Sequence, residues 1–377
     1  MQSKKIFAAL AFAGVCTATF AADSAVTVYG LLDVGYSYRT DNFNPTVSSR
    51  SGFDSGQANG SRIGFRGNEE LFPGVSAIFT LEAGVNVDTG ENLQNGAASN
   101  NSATTVQRVW GRQTWAGLDF SGTKATIGRQ YSPIYAVYSE FEPFGAGTVG
   151  QANNVIKNVS AYTRVDNAFR VQTPYFGDVF GLDLIYSLNT SGNEANYNAA
   201  SPATTSDKRY MGGVAKLKIA KRFYVFGGYN QAKVRNAASN DHTFDLLGVA
   251  DFDFARFTLG YENEKDGTKL AASGPDKGQA LQYNRLHVGA KVPFGNFALL
   301  ASYNYSKDKQ ELDQKAQQYA LGGVYNFSKR TDVYVAYARM LTGSGLTASS
   351  GYDLGDGTFS NGAGYRSGLS SGLRVRF

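Results

Sequence analysis

The sequence runs to 377 residues with 36 basic and 31 acidic side chains, a formal net charge of +5. So small an excess, with no dense Lys/Arg run, excludes a nucleic-acid footprint. Mean hydropathy is −0.29, which excludes a bundle of membrane helices but not a strand-built barrel, where only alternate side chains meet lipid. With 44 Gly, 23 Tyr, 25 Phe and only 8 Pro, the composition favours strands and tight turns over helices or disordered tracts.

In chain order, Lys4 and Lys5 open a basic start, Ile6 to Val15 is apolar, and Thr19-Phe20-Ala21 ends on small residues. Residues 1–21 read as a removable export segment, leaving 22–377 as one domain. The single Cys16 lies inside that segment, and Val15 before it does not suit a lipidated cysteine. The mature chain then has no thiol, which excludes disulfides and thiolate metal sites. Removing Lys4 and Lys5 from the 36 basic residues leaves 34 against 31 acidic ones.

From here on the signal is period-2 alternation. Val26, Val28, Leu32, Val34, Tyr36 and Tyr38 alternate with Thr27, Asp33 and Ser37, and Val75, Ala77, Phe79, Leu81 and Ala83 with Ser76, Thr80 and Glu82. Sixteen such segments are predicted, near 26–38, 59–67, 74–87, 106–119, 124–131, 160–173, 178–189 and 208–220, then 223–235, 242–252, 255–265, 281–292, 296–308, 316–327, 332–341 and 366–377. Asp332–Arg339 lacks a clean parity. The opening alternation spans about a dozen residues, longer than the ~5–6 of an average globular strand and matched to the ~9–11 needed to cross a bilayer. Short turns such as Ser121–Thr123 and Phe294–Asn296 alternate with long polar stretches such as Asn189–Asp207 and Thr342–Tyr365. Short on one side and long on the other is the layout of a transmembrane barrel. An even strand count lets the last strand close against the first, so no backbone edge faces lipid. The fold class is all-β, a transmembrane antiparallel β-barrel of about 16 strands, and that count keeps an aqueous lumen.

The chain also resembles a known family. The carrying stretches are Ala25-Val26-Thr27-Val28-Tyr29-Gly30 with Asp33, Ser61-Arg62-Ile63-Gly64-Phe65-Arg66-Gly67, Gly111-Arg112-Gln113, and Leu118 to Pro133 with Gly128-Arg129-Gln130. Asn326-Phe327-Ser328-Lys329-Arg330-Thr331 and the ending Gly372-Leu373-Arg374-Val375-Arg376-Phe377 complete the set. They resemble the general diffusion porins of Gram-negative outer membranes, especially the betaproteobacterial branch. The resemblance implies a 16-stranded barrel, a homotrimer, a third external loop folded into the lumen, and Phe377 as an assembly signal. It further implies a wall cluster of arginines at the constriction, falling on Arg62, Arg112 and Arg164, facing the loop Tyr131–Asn158 with Glu140 and Glu142. The implied function is passive diffusion of ions and small hydrophilic solutes across the outer membrane, embedded in its lipid and without a cofactor.

Physical chemistry supports part of this independently. Ile63 and Phe65 alternate with Arg62 and Arg66, and an Arg turned to mid-bilayer lipid costs about 2–4 kcal/mol. Both arginines therefore point into the lumen. Arg66, Arg374 and Arg376 suit solvated lumen charge away from the narrowest point. Asp33 and Glu82 are expected to line the pore outside the constriction. Glu140 and Glu142 are expected to oppose the arginines, with a mild anion preference as the result; ordinary loop charge is the other reading.

Other chemistries have less behind them. Gly368-Leu369-Ser370-Ser371-Gly372 fits the hydrolase nucleophile elbow in letters, but that elbow needs a following helix. Gly145-Ala146-Gly147-Thr148-Val149-Gly150 has dinucleotide spacing without a preceding strand or βαβ unit. His242 and His287 are the only histidines, a poor basis for a metal site or triad. A substrate-selective barrel, an outer-membrane barrel hydrolase and a soluble adhesin-like β protein are the rival readings.

Overall fold

The computed structural model describes residues 25–47, 49–93, 96–97, 105–106, 108–145, 147–157, 162–190, 208–234, 240–270, 280–310, 314–344, 346, 352–354 and 364–377. The expected export segment lies outside them. No described helix is long and apolar enough to cross a membrane; strands do the crossing.

The wall begins with β1 (Ala25–Asn42), whose neighbour is split into β2 (Arg50–Ser55) and β3 (Arg62–Phe72). It continues through β4 (Val75–Val85), β5 (Gln113–Phe120), β6 (Thr123–Tyr131), β7 (Arg164–Gln172), β8 (Phe180–Ser187) and β9 (Lys208–Ile219). Then follow β10 (Phe223–Val234), β11 (Asp241–Asp251), β12 (Arg256–Leu270), β13 (Ala280–Phe294) and β14 (Phe297–Asp308). β15 (Lys315–Asn326), β16 (Thr331–Thr342) and β17 (Tyr365–Arg376) finish the circuit. All wall pairings are antiparallel, and β17 returns to β1 with Leu31 opposite Arg376 and Asn42 opposite Tyr365. With β2 and β3 sharing one position, the ring is a closed 16-strand barrel. Closure pairs the backbone around the circumference, which a hydrocarbon solvent demands.

Register keeps the two faces apart. Val28 opposes Phe65, and Tyr36 opposes Phe53 with ring centroids 5.8 Å apart. Tyr36, Tyr38, Phe223 and Tyr229 are all exposed on the outer face. Asp332, Tyr334, Ala336, Ala338 and Met340 point inward while Val333, Val335, Tyr337 and Leu341 point outward. The blurred parity of this segment has a cause: its inner face is apolar because loops pack on it.

Two features depart from the predicted strands. The segment expected at 59–67 begins only at Arg62, because residues 56–61 fold into the lumen. Asp33 holds that turn: its carboxylate accepts from the Ala58 and Asn59 amides at 2.9 and 2.6 Å and from the Tyr334 hydroxyl at 2.6 Å. Beyond Arg62 the strand runs on to Phe72, through residues expected to turn at 68–74.

Inside the barrel lies the loop between β6 and β7. Ser132 caps helix α1 (Pro133–Phe141) by accepting from the Tyr135 amide, with Pro at the first turn, where its missing N–H costs nothing. Ile134, Val137, Tyr138, Ala152 and Ile156 are buried against Val214, Phe226, Leu247 and Val249 of the wall. The far end of the loop, with Phe144, Val149 and Val155, is buried with Ala320, Ala336 and Met340, and with Leu346, Tyr352 and Leu354 from beyond β16. One side of the lumen is therefore filled, and solutes are confined to the other.

Candidate functional site

The loop needs wall positions without side chains. A β-carbon added at Gly228 would stand 3.2 Å from Ile134, at Gly260 2.8 Å from the Tyr138 hydroxyl, and at Gly289 2.7 Å from Pro143. At Gly322 and Gly368 it would stand 2.9 Å from Phe144 and Val149. Successive loop residues thus sit on successive glycines around the inner wall. Ordinary carbon contacts are about 3.5–4.0 Å, so even alanine at several of these sites would lift the loop.

Opposite the filled side, β3, β4, the chain just before β5, β6 and β7 each supply one polar group to a single cluster. Its centre is Tyr131, at the end of β6. The Tyr131 hydroxyl accepts from Arg112 Nη2 at 2.7 Å and Arg164 Nη2 at 3.0 Å. The Arg164 guanidinium also lies over the Tyr131 ring, 4.7 Å from its centroid, a favourable position for a cation. Arg112 is buried and donates Nε to Glu82 Oε1 at 2.7 Å, while Arg62 Nη1 stands 3.9 Å from the same oxygen. Tyr29 donates to Glu82 Oε2 at 2.9 Å, and the Gly60 carbonyl accepts from Arg62 Nε at 2.9 Å. Tyr135 of α1 stacks on Tyr131 at 4.9 Å, joining the loop to the arginine wall.

Three guanidinium groups thus gather in a cluster that holds one carboxylate, paired with two of them. Glu82 neutralises Arg112 first, Arg62 is loosely paired and partly exposed, and Arg164 has no carboxylate partner among the described residues, its Nε buried without an acceptor. The cluster carries an uncompensated positive charge in a partly desolvated wall, where fields are focused.

The sequence expectations fare unequally. Arg62, Arg112 and Arg164 come together. Arg66 faces the lumen beside the Tyr29 ring, 5.5 Å from its centroid. Arg374 and Arg376 both pair with Asp332 at 2.7 Å. Glu82, expected outside the constriction, is the one carboxylate in the arginine cluster. Asp33, expected to line the pore, is fully buried and instead ties down the inward turn. Glu142 does not pair with the arginines: it is buried in the loop, and that burial pushes its carboxyl well above the ordinary range. Glu140 is exposed at the end of α1, where its carbonyl accepts from Arg256 at 3.5 Å.

Other groups escaped the sequence reading. Tyr131 carried no signal beyond adjacency to Gly128-Arg129-Gln130. Arg108 and Arg129 converge on Asp166, beside a bulge between Val165 and Ala168. Arg285 is buried between Glu262 and Glu264 and donates to the Tyr352 hydroxyl at 2.9 Å. That bond anchors residues beyond β16 against the inner wall.

A closed ring of membrane-length strands, apolar outside, with a loop-narrowed polar lumen defines a transmembrane β-barrel channel. Residues 8–345 match the family model described as Gram-negative porin, and the chain belongs to that family. It is 29% identical over 380 residues to an outer membrane porin protein of Bordetella pertussis, covering 90% of this chain and 94% of that one. Outer membrane porin protein 32 of Delftia acidovorans is 26% identical over 337 residues, with 88% of each chain covered. Among solved structures, the anion-selective porin from Comamonas acidovorans superposes with a TM-score of 0.71 at 23% identity, over 94% of this chain and 100% of that one. The trimer form of OmpT from Vibrio cholerae reaches 0.65 at 15% identity, over 94% and 99%. The protein is a passive diffusion channel of the outer membrane, not an enzyme.

Proposed function

We propose that the pore passes ions and small hydrophilic solutes with a mild preference for anions, and that Arg62, Arg112 and Arg164 form its selective wall. The observation that carries this reading is the imbalance around Tyr131, three guanidinium groups against the one carboxylate of Glu82. Glu142 is buried in the loop with its carboxyl shifted toward the neutral form, and neither it nor the exposed Glu140 pairs with the three arginines among the described residues. The structural relative from Comamonas acidovorans is an anion-selective porin, which agrees with this reading. Reversal potentials of the reconstituted protein in a salt gradient test it; a clear cation preference rejects it.

Three further assignments belong to the same proposal. Residues 1–21 are removed on export, leaving 22–377. The barrel assembles as a homotrimer, as the trimer form of OmpT from Vibrio cholerae does, and stepwise insertion in threes in a planar bilayer is its expected signature. Phe377 serves as the assembly signal: its backbone exchanges hydrogen bonds with Gly30 at 3.0 and 3.1 Å, and its ring lies where a Gly30 side chain would be. The terminal residue is thus part of the seam that closes the ring.

A further inference from the structure

Beneath the loop, toward the short-turn end of the lumen, the inner faces of β13–β17 leave a cavity of about 290 Å³. Lys291 of β13 lines it and is exposed. Register places Arg256 of β12 directly opposite Lys291, and like charges so placed on one sheet face repel. The carboxylates within reach of this lysine are Asp251 and Asp332, and both are engaged by other cations. Asp251 accepts from Arg256 at 2.5 Å, and Asp332 accepts from Arg374 and Arg376 at 2.7 Å each. Lys291 itself makes no hydrogen bond or salt bridge among the described residues. An ammonium with three donors is thus left to the cavity.

The other acids on these walls do not cancel it. Glu140 is exposed, and burial of Glu142 in the loop shifts its carboxyl toward the neutral form. Lys291, Arg374 and Arg376 then stand against Asp332 and Glu140, and the balance stays positive. Part of the wall is apolar: Ala298 and Leu300 of β14, Val324 of β15, Ala336 of β16 and Phe144 of the loop. A bare inorganic anion would leave that surface uncovered. The volume lies at the small end of ligand pockets, which run from about 300 to 1,000 Å³, so it suits a single ring and not an oligosaccharide.

We propose that this cavity is a binding subsite for small monocarboxylates with an apolar body, of the size of benzoate. The carboxylate pairs with Lys291 and offsets its repulsion from Arg256, while the body rests against Leu300, Val324 and Phe144. Such solutes are held on their way through the lumen, whereas chloride is drawn by charge alone. The cavity shares no residue with the Tyr131 cluster, so the subsite and the ion preference proposed above stand or fall separately.

The test is single-channel recording in potassium chloride at neutral pH, with benzoate, benzamide or acetate added at constant ionic strength. Benzoate is expected to reduce the chloride current saturably. Benzamide has the ring without the charge and acetate the charge without the ring, and both should block much more weakly. An exposed ion pair contributes up to about fivefold, so Lys291→Gln should raise the half-blocking benzoate concentration about fivefold, and Lys291→Arg should restore it. Val324→Thr, which keeps the shape and adds a hydroxyl, should weaken block by benzoate and leave acetate unchanged. The open-channel current verifies that each variant is a folded barrel. A benzoate effect that does not saturate overturns the proposal, as does equal block by benzamide or acetate, or an unchanged half-blocking concentration in Lys291→Gln. A reversal potential favouring cations with benzoate block intact would reject the selective wall and uphold this subsite.

Discussion

Arg164 is the sharpest probe of the selective wall. Arg112 is offset by Glu82 at 2.7 Å, whereas among the described residues Arg164 is held by the Tyr131 hydroxyl and ring alone, so Arg164→Gln removes a charge that no described carboxylate cancels. For an ion passing at about 5 Å in a water-like medium, one unit charge contributes about 0.8 kcal/mol. That is about fourfold in the local concentration of an anion, and the opposite for a cation. The ratio of anion to cation permeability should therefore fall between about fourfold and about fifteenfold at about 0.1 M salt, where the screening length is about 10 Å. At about 1 M the screening length is about 3 Å and the difference should nearly vanish. The assay is the reversal potential across a planar bilayer at two ionic strengths, with Arg164→Lys as the charge-preserving control. An unchanged reversal potential in Arg164→Gln, or a shift toward anions, would refute the reasoning.

Gly289→Val places carbon within 2.7 Å of Pro143; overpacking costs about 1–3 kcal/mol. Because several buried side chains seat the loop, the barrel should stay folded while single-channel conductance changes and grows noisier; conductance identical to wild type contradicts the glycine track. Gly147→Ala should separate the loop from the inward turn, since the added carbon would lie 1.7 Å from the Ala58 carbonyl oxygen, and faster proteolysis after residue 56 should report it. Glu142 has its folded pKa raised from 4.5 by burial. Its protonated form is the one the fold accepts, so stability is full below the unfolded pKa and declines as pH rises above it. Glu142→Gln should therefore raise the thermal midpoint at neutral pH and change little near pH 4, as scanning calorimetry can read; a gain largest in acid would reverse the assignment.

Much of this molecule was legible in its sequence because a two-sided strand must declare itself. Ile63 and Phe65 against Arg62 and Arg66 fix which way each side chain points, because an arginine in hydrocarbon is too costly to leave ambiguous. The same logic located the ring and its even strand number, whereas Arg112 and Arg164 were reached only through the family resemblance.

What the sequence left open are the places where one segment lands on another. Glu140 and Glu142 are two residues apart, yet one is exposed and the other is buried; only the loop's seating separates them. Asp33 reads as a lumen carboxylate until the turn at 56–61 folds over it and uses its charge for two amides and the Tyr334 hydroxyl. The apolar inner faces of β16 and the glycines beneath Ile134, Tyr138 and Pro143 look like lapses in alternation, and they are the seat for the loop. Periodicity is a local property, carried by each strand's contact with lipid or water. The seat of the loop is a contact between residues over a hundred positions apart in the chain, such as Ile134 with Leu247, and tertiary packing alone decided it.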